Sequence, residues 1–145
     1  MKKNISRELR RYNYLFGETM AAYHEMYLKL GMSDSAITIL YAVLENGGKR
    51  PLQEVRHYTG LSKQTVNSAL RKLEKEDILY LEMTGSKNKT VCLTEKGKLL
   101  AEKTAGRVLA AENEIFASWT QEDADKYLEL TETFLLALKE KTRNL

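Results

Sequence analysis

The stretch "GLSKQTVNSALRKLEKEDIL", Gly60–Leu79, contains the helix on which the fold assignment rests. Ser62 is a good N-cap, because its hydroxyl can accept a hydrogen bond from a free amide of the first turn. The apolar residues that follow recur at helical spacing and predict a buried stripe: Val66, Ala69, Leu70 and Leu73. Any helix of a bundle would show such a stripe, so the opposite face must distinguish this one.

The polar face of this helix carries amides, hydroxyls and cations, with no carboxylate between Ser62 and Leu73. Opposite the apolar stripe, or flanking that position, lie Lys63, Gln64, Thr65, Asn67, Ser68, Arg71, Lys72 and Lys75. Amides can pair with adenine, arginine with guanine, and hydroxyls with base edges or phosphate. A merely solvated face usually contains more Glu, so we favour contact with DNA bases over simple solvation.

Upstream of this helix, hydrophobic periodicity predicts three more helices. The first spans residues 6–30, and its apolar residues form two stripes, which require two packing surfaces. The second covers Ala36–Glu45 and the third, a short one, about Leu52–Tyr58. The short helix, the turn at Gly60 and the helix that follows together predict a helix-turn-helix.

Downstream, Ile78–Thr84 and Thr90–Thr94 alternate apolar and polar residues around a polar turn, which predicts a β-hairpin and the only strand pair in the chain. A long helix is expected over about residues 95–119, kinked near Gly106, and a last helix over about 122–141. Capping residues stand before four of the predicted helices: Ser33, Ser62, Thr94 and Thr120. The fold class is therefore mainly α with a small β-hairpin.

Positive charge is concentrated in the middle of the 145-residue chain. Lys and Arg outnumber Asp and Glu by 11 to 6 in residues 49–98, but only by 6 to 5 in residues 1–48. In residues 99–145 the acidic residues prevail by 9 to 6. A local basic excess around the predicted helix-turn-helix is what phosphate contacts require.

Other function classes find little support in the sequence. No apolar run approaches the roughly 18 residues of a membrane span, so we expect no membrane partner and a cytoplasmic location. The single cysteine, Cys92, rules out an internal disulfide and a cysteine-based zinc site. His24 and His57 belong to no metal or catalytic motif. We therefore expect neither an enzyme nor a cofactor, and no metal site.

Taken together, "HYTGLSKQTVNSALRKLEKEDIL" (His57–Leu79), the hairpin, and "LTEKGKLL" (Leu93–Leu100) directly after it resemble the MarR family of bacterial transcription regulators. That family usually has Leu-Thr-x-x-Gly directly after the hairpin, as Leu93–Gly97 does here. The order of the predicted helices also matches that of the family along the whole chain. The resemblance implies a winged helix-turn-helix over residues 33–98, and dimerisation helices in residues 1–32 and 99–145.

For function, the resemblance implies a sequence-specific DNA-binding regulator of transcription, usually a repressor. It would act as a homodimer on a pseudo-palindromic operator in double-stranded DNA, with a small aromatic or anionic effector as a further partner. The effector site is left unassigned. The alternative is a winged-helix module that binds another protein and not DNA.

The tip of the hairpin, called the wing below, adds four candidate DNA-binding residues: Ser86, Lys87, Asn88 and Lys89. We favour contact with phosphate or the minor groove over a solubilising role, because the turn lies next to the predicted DNA-contacting helix. The family's wing commonly carries an Asp and an Arg that enters the minor groove. Lysine lacks the planar fork of arginine, so a weaker readout of groove shape is expected here.

Overall fold

Residues 4–145, which the computed structural model describes, form seven helices and three strands. In chain order these are α1 (Arg7–Lys29), α2 (Asp34–Glu45), β1 (Lys49–Pro51), α3 (Leu52–Thr59), α4 (Lys63–Lys75), β2 (Leu79–Met83), β3 (Lys89–Leu93), α5 (Glu95–Lys103), α6 (Ala105–Ala117) and α7 (Gln121–Arg143). The expected winged helix-turn-helix is confirmed, with α3 and α4 as its two helices. None of the helices in this part of the chain is long and apolar enough to cross a membrane.

The sheet has three strands and not two, so the prediction of a single strand pair was wrong. The antiparallel order is β1-β3-β2, with Leu79 opposite Leu93 in the hairpin and Lys49 opposite Cys92 across the other edge of β3. Strand β1 is three residues long and ends in a proline, which leaves no alternation to recognise in the sequence. It ties the start of α3 to the base of the wing.

The hydrophobic core gathers residues of α2, α3, α4, the sheet and the helices after it. Helix α2 contributes five buried residues, and α3 contributes Val55. The stripe predicted for α4 is confirmed: Val66, Ala69, Leu70 and Leu73 are all buried. Because one face of α4 is anchored in this way, its polar face is held toward the surface.

A tight corner joins the end of α4, the start of β2 and the start of α5. Asp77 ends α4 with φ 61°, and the Ile78 amide donates to the Leu73 carbonyl at 2.9 Å. Thr94 Oγ1 donates to the Asp77 carbonyl at 2.7 Å and accepts from the Gly97 amide at 2.9 Å. A Cβ on Gly97 would overlap the carbonyl oxygen of Ile78, so this position requires glycine. The Leu-Thr-x-x-Gly pattern thus has a direct structural cause.

The long helix predicted over residues 95–119 is broken at Thr104, not kinked near Gly106. Thr104 has φ −118° and ψ −86°, and its side chain donates to the Leu100 carbonyl at 2.7 Å. The chain therefore continues as two helices, α5 and α6.

The chain divides into two compact units, Met1–Val108 and Leu109–Leu145. The second unit contains the end of α6 and all of α7, and three aromatic rings meet at its corner. Trp119 lies 5.1 Å from Phe116 and 5.3 Å from Tyr127 between ring centroids, both in edge-on geometry. The proposed assignment of residues 1–32 and 99–145 to dimerisation remains a prediction, and residues 1–3 of it lie outside the described residues.

Candidate nucleic-acid interface

Local sequence signals place the start of α4 as expected. Gly60 takes the left-handed conformation at φ 67° and ends α3, and Ser62 then caps α4. The Ser62 hydroxyl accepts from the Thr65 amide at 3.1 Å and donates to Thr65 Oγ1 at 2.8 Å. The remaining predicted caps, Ser33, Thr94 and Thr120, also accept bonds from the first turns of their helices.

The polar face of α4 is exposed almost throughout. Exposed side chains among the predicted DNA-binding residues of this helix are Lys63, Gln64, Thr65, Ser68, Arg71 and Lys72. Asn67 differs, because it is half-buried between α4 and α3. The structure thus presents these side chains on one surface, as the sequence predicted, while Asn67 has a neighbour that the sequence did not reveal.

The wing brings a second basic surface close to α3. Ser86, Lys87, Asn88 and Lys89 are exposed at the tip. Lys87 and Lys89 line a groove of about 480 Å³ together with Gln53 and Arg56 of α3. The Thr84 amide donates to the Asn88 carbonyl at 2.9 Å, which closes the turn. The wing lysines and α3 therefore share one cleft.

Cations of this interface have no internal counter-ion. Among residues 4–145, no salt bridge within 4.0 Å joins a carboxylate to Lys63, Arg71, Lys72, Lys87 or Lys89. Elsewhere some exposed lysines are paired, as Lys29 is with Glu25 and Lys98 with Glu95, and others, such as Lys103 and Lys139, have no salt bridge in the described residues. The unpaired positive charge is available to an external anion, and phosphate is the anion that DNA offers.

Arg56 of α3 is the residue that sequence reasoning missed. Its Nη2 donates to Asn67 Oδ1 at 3.0 Å across the two helices of the helix-turn-helix. Its Nε is buried and has no hydrogen-bond partner in the described part of the chain. An 11-residue separation within a turn-linked pair of helices is not visible as a motif, so only the folded chain reveals this contact.

Arg50 shows what a structural arginine looks like in the same domain. Its Nη1 donates to the Ala42 carbonyl at 3.0 Å, and its guanidinium lies 3.4 Å from Glu45 and 3.6 Å from Glu54. The same group stacks over the Tyr58 ring, 4.2 Å from the centroid. Arg50 therefore joins α2, β1 and α3, and its charge is neutralised inside the protein.

Cys92 is the fourth of the five residues of β3 and is fully buried. Burial, together with a contact to Glu82, raises the pKa of the Cys92 thiol. A protonated, buried thiol is a poor nucleophile, so Cys92 serves as a packing residue of the sheet. No group of three or more His, Cys, Asp or Glu residues within 4–145 is placed to hold a metal ion.

Comparison with known proteins agrees with this geometry. Residues 30–86 match the family model of the MarR family. Among solved structures, a MarR family regulator from Neisseria meningitidis superposes with a TM-score of 0.78 at 17% identity, covering 94% of this chain and 96% of that one. AbsC, a MarR family transcriptional regulator from Streptomyces coelicolor, gives 0.74 at 14% identity, with coverages of 96% and 99%.

A third similar structure is BpsR from Bordetella bronchiseptica, whose DNA binding is regulated by 6-hydroxynicotinic acid. It superposes with a TM-score of 0.64 at 15% identity and covers 86% of this chain and 98% of that one. A comparison with curated protein sequences gives no significant match.

By its fold, the chain is a winged helix-turn-helix protein with additional helices before and after the winged segment. The family model covers residues 30–86, which include α2, β1, α3, α4 and β2, and the folds of MarR family regulators match nearly the whole chain. The resemblance read from the sequence is therefore confirmed: residues 30–86 match the MarR family model, and the chain shares the fold of MarR family regulators.

Proposed function

We propose that this protein is a sequence-specific DNA-binding regulator of transcription, most simply a repressor, that acts as a homodimer. The observation that carries the proposal is the set of unpaired cations around α4 and the wing. These cations lie on exposed surface with no carboxylate within salt-bridge distance in the described residues, so DNA phosphates could pair with them. Such a regulator would work in the cytoplasm, where the bacterial chromosome lies.

The roles of the individual residues follow from their positions. Gln64, Asn67, Ser68 and Arg71 are proposed to contact base edges in the major groove. Phosphate contacts are assigned to the flanking residues Lys63, Thr65 and Lys72. The wing residues Ser86, Lys87, Asn88 and Lys89 would contact the backbone beside the neighbouring minor groove.

A second copy of the chain is proposed to cover the apolar surface of the terminal helices. Helices α1 and α7 are each 23 residues long and have no buried residue. Half-exposed leucines occur along both: Leu9, Leu15, Leu128, Leu130, Leu135 and Leu138. Exposed apolar side chains along a helix in this number are typical of an interaction site. A two-fold dimer would present two α4 helices to successive major grooves, with half-sites about 10 base pairs apart.

A small aromatic or anionic effector is part of the proposal, supported by the ligand control described for BpsR. Aromatic carboxylates form the natural first panel. A rise in melting temperature on addition of one compound, together with release of bound DNA in a gel shift, would identify an effector. A promoter-reporter measurement with and without the protein decides between repression and activation.

Gel-shift titration at several salt concentrations tests DNA binding itself. With the promoter region upstream of its own gene as probe, we expect the logarithm of the association constant to fall by about 0.9 for each phosphate contact per tenfold rise in salt. Several contacts per protomer should give a slope of several units. A flat response, or no shift at all, would contradict the proposal and favour a winged-helix module that binds protein.

A further inference from the structure

Arg56 of α3 is joined to the proposed base-contacting residue Asn67 of α4 by one hydrogen bond. We infer that Arg56 is a specificity-determining residue: it fixes the orientation of the Asn67 amide and thereby the base preference at one position of each half-site. The inference rests on the proposed function, because it concerns how the same surface would distinguish sequences.

The contact with Arg56 fixes which end of the Asn67 amide faces α3. A guanidinium has only donors, so the atom of Asn67 that faces it must be the carbonyl oxygen. The observed contact, Arg56 Nη2 to Asn67 Oδ1 at 3.0 Å, satisfies this requirement. An amide on a freely solvated helix face could rotate and present either its oxygen or its nitrogen to a base. Asn67 is held with the oxygen toward α3, which leaves the nitrogen, a donor, as its free end.

The surroundings of Arg56 differ from those of Arg50. Unlike Arg50, which has Glu45 and Glu54 beside it, Arg56 has no carboxylate partner within residues 4–145. Its Nε, like that of Arg50, is buried without a hydrogen-bond partner in the same part of the chain, so the missing carboxylate is what distinguishes Arg56. A half-buried cation without a counter-ion costs folding free energy, and an apolar residue would stabilise the fold better. Stability alone therefore does not account for an arginine at this position.

Arg56 lies beside the wing residues that are proposed to contact DNA. Arg56 lines the groove of about 480 Å³ that also contains Lys87 and Lys89 of the wing. A charged donor polarises the amide to which it binds, so the free N–H of Asn67 becomes a stronger donor. The base edge that Asn67 meets should consequently present an acceptor, such as guanine O6 or N7. Arg56 is thus a positioning residue, acting on DNA through Asn67.

The test is selection of bound sequences from random DNA with the full-length protein and its variants. Wild-type protein is expected to enrich one acceptor-bearing base at a position that loses its preference in Asn67→Ala. In Arg56→Met the preference at that same position should fall at least about fivefold, the lower end of what one base contact contributes. In the Asn67→Ala background, adding Arg56→Met should change nothing further at that position.

Two controls separate orientation from charge and folding. Arg107→Met removes an exposed arginine from α6 and should leave the base preferences unchanged. Arg56→Lys retains the charge but not the planar fork that holds an amide, so the same position should relax. Arg56→Lys also replaces Arg56→Met as the test variant if Arg56→Met does not unfold cooperatively.

The outcomes distinguish a failure of the proposed DNA binding from a failure of the role assigned to Arg56. Enrichment of no sequence by the wild-type protein would defeat the proposed function. Enrichment by the wild type with an unchanged preference in Arg56→Met and Arg56→Lys would overturn the inference about Arg56 and leave the proposed function intact. A uniform loss of affinity with an unaltered sequence profile would likewise overturn it, since Arg56 would then act only through its charge.

Discussion

Helices α4 and α7 are both amphipathic, yet the chain treats them in opposite ways. Helix α4 has 13 residues and buries four of them in the core, whereas α7 has 23 residues and buries none. The apolar face of α4 is satisfied within its own domain, so its polar face is free to bind something else. In α7 the apolar face itself remains available, and we propose that it binds a second copy of the chain.

The largest effect is expected from the buried side of this comparison. Leu70→Ala removes a side chain that is 4% exposed in the core beneath α4. We expect a loss of about 2 to 5 kcal/mol in the free energy of unfolding, through lost burial and the cavity left behind. Urea unfolding at one fixed protein concentration measures it. A loss below 1 kcal/mol would mean that the stripe of α4 is not a core element.

The second effect concerns the same residue type on α7. Leu138→Glu places a charge on the stripe that we propose to be covered in the dimer. We expect dimerisation to weaken by about 2 kcal/mol or more, as at interface hot spots. Leu136→Glu is the matched control, because it lies about 160° away on the helix. Sedimentation equilibrium compares the two, and equal effects would contradict the assigned face.

The third prediction addresses the polar face of α4. Arg71→Ala should leave the melting temperature nearly unchanged, because Arg71 is exposed and has no salt-bridge partner in the described part of the chain. Specific DNA binding should weaken by about 1 to 3 kcal/mol. Calorimetry and gel shifts on one preparation give both numbers. Normal binding to every sequence would show that Arg71 does not face DNA.

The smallest effect is expected at the wing. Lys87→Ala removes one proposed phosphate contact and should weaken binding about equally for all sequences. The slope of binding against salt, on logarithmic axes, should decrease by about one unit. Titration of specific and random DNA at several salt concentrations measures this slope. A change confined to one sequence would instead indicate that Lys87 contacts a base or senses groove width.

Features that depend on a few neighbouring residues could be predicted from the sequence. The caps at Ser33, Ser62 and Thr94 and the buried stripe of α4 follow from local hydrogen bonding and helical spacing, and all are confirmed. Strand β1 was missed because it exists through pairing with residues about 40 positions away. The kink expected near Gly106 is a break at Thr104, two residues earlier, where the backbone leaves the helical conformation.

The candidate site divides in the same manner. Exposed residues of α4 and the wing were identifiable, since helical geometry alone separates them from the apolar stripe. The contact between Arg56 and Asn67 depends on how α3 and α4 cross, which no local pattern encodes. Whether these residues bind DNA in the roles assigned to them remains a prediction.

The corner built by Thr94 and Gly97 has a mechanical consequence. Thr94 holds the Asp77 carbonyl, Lys96 Nζ donates to the Glu76 carbonyl at 2.9 Å, and Gly97 allows α5 to touch the backbone of Ile78. These contacts hold the end of α4 against the first turn of α5. A rotation of α5 would therefore be transmitted to α4 through these contacts. An effector that turned α5 would also turn α4, the helix that we propose to contact DNA.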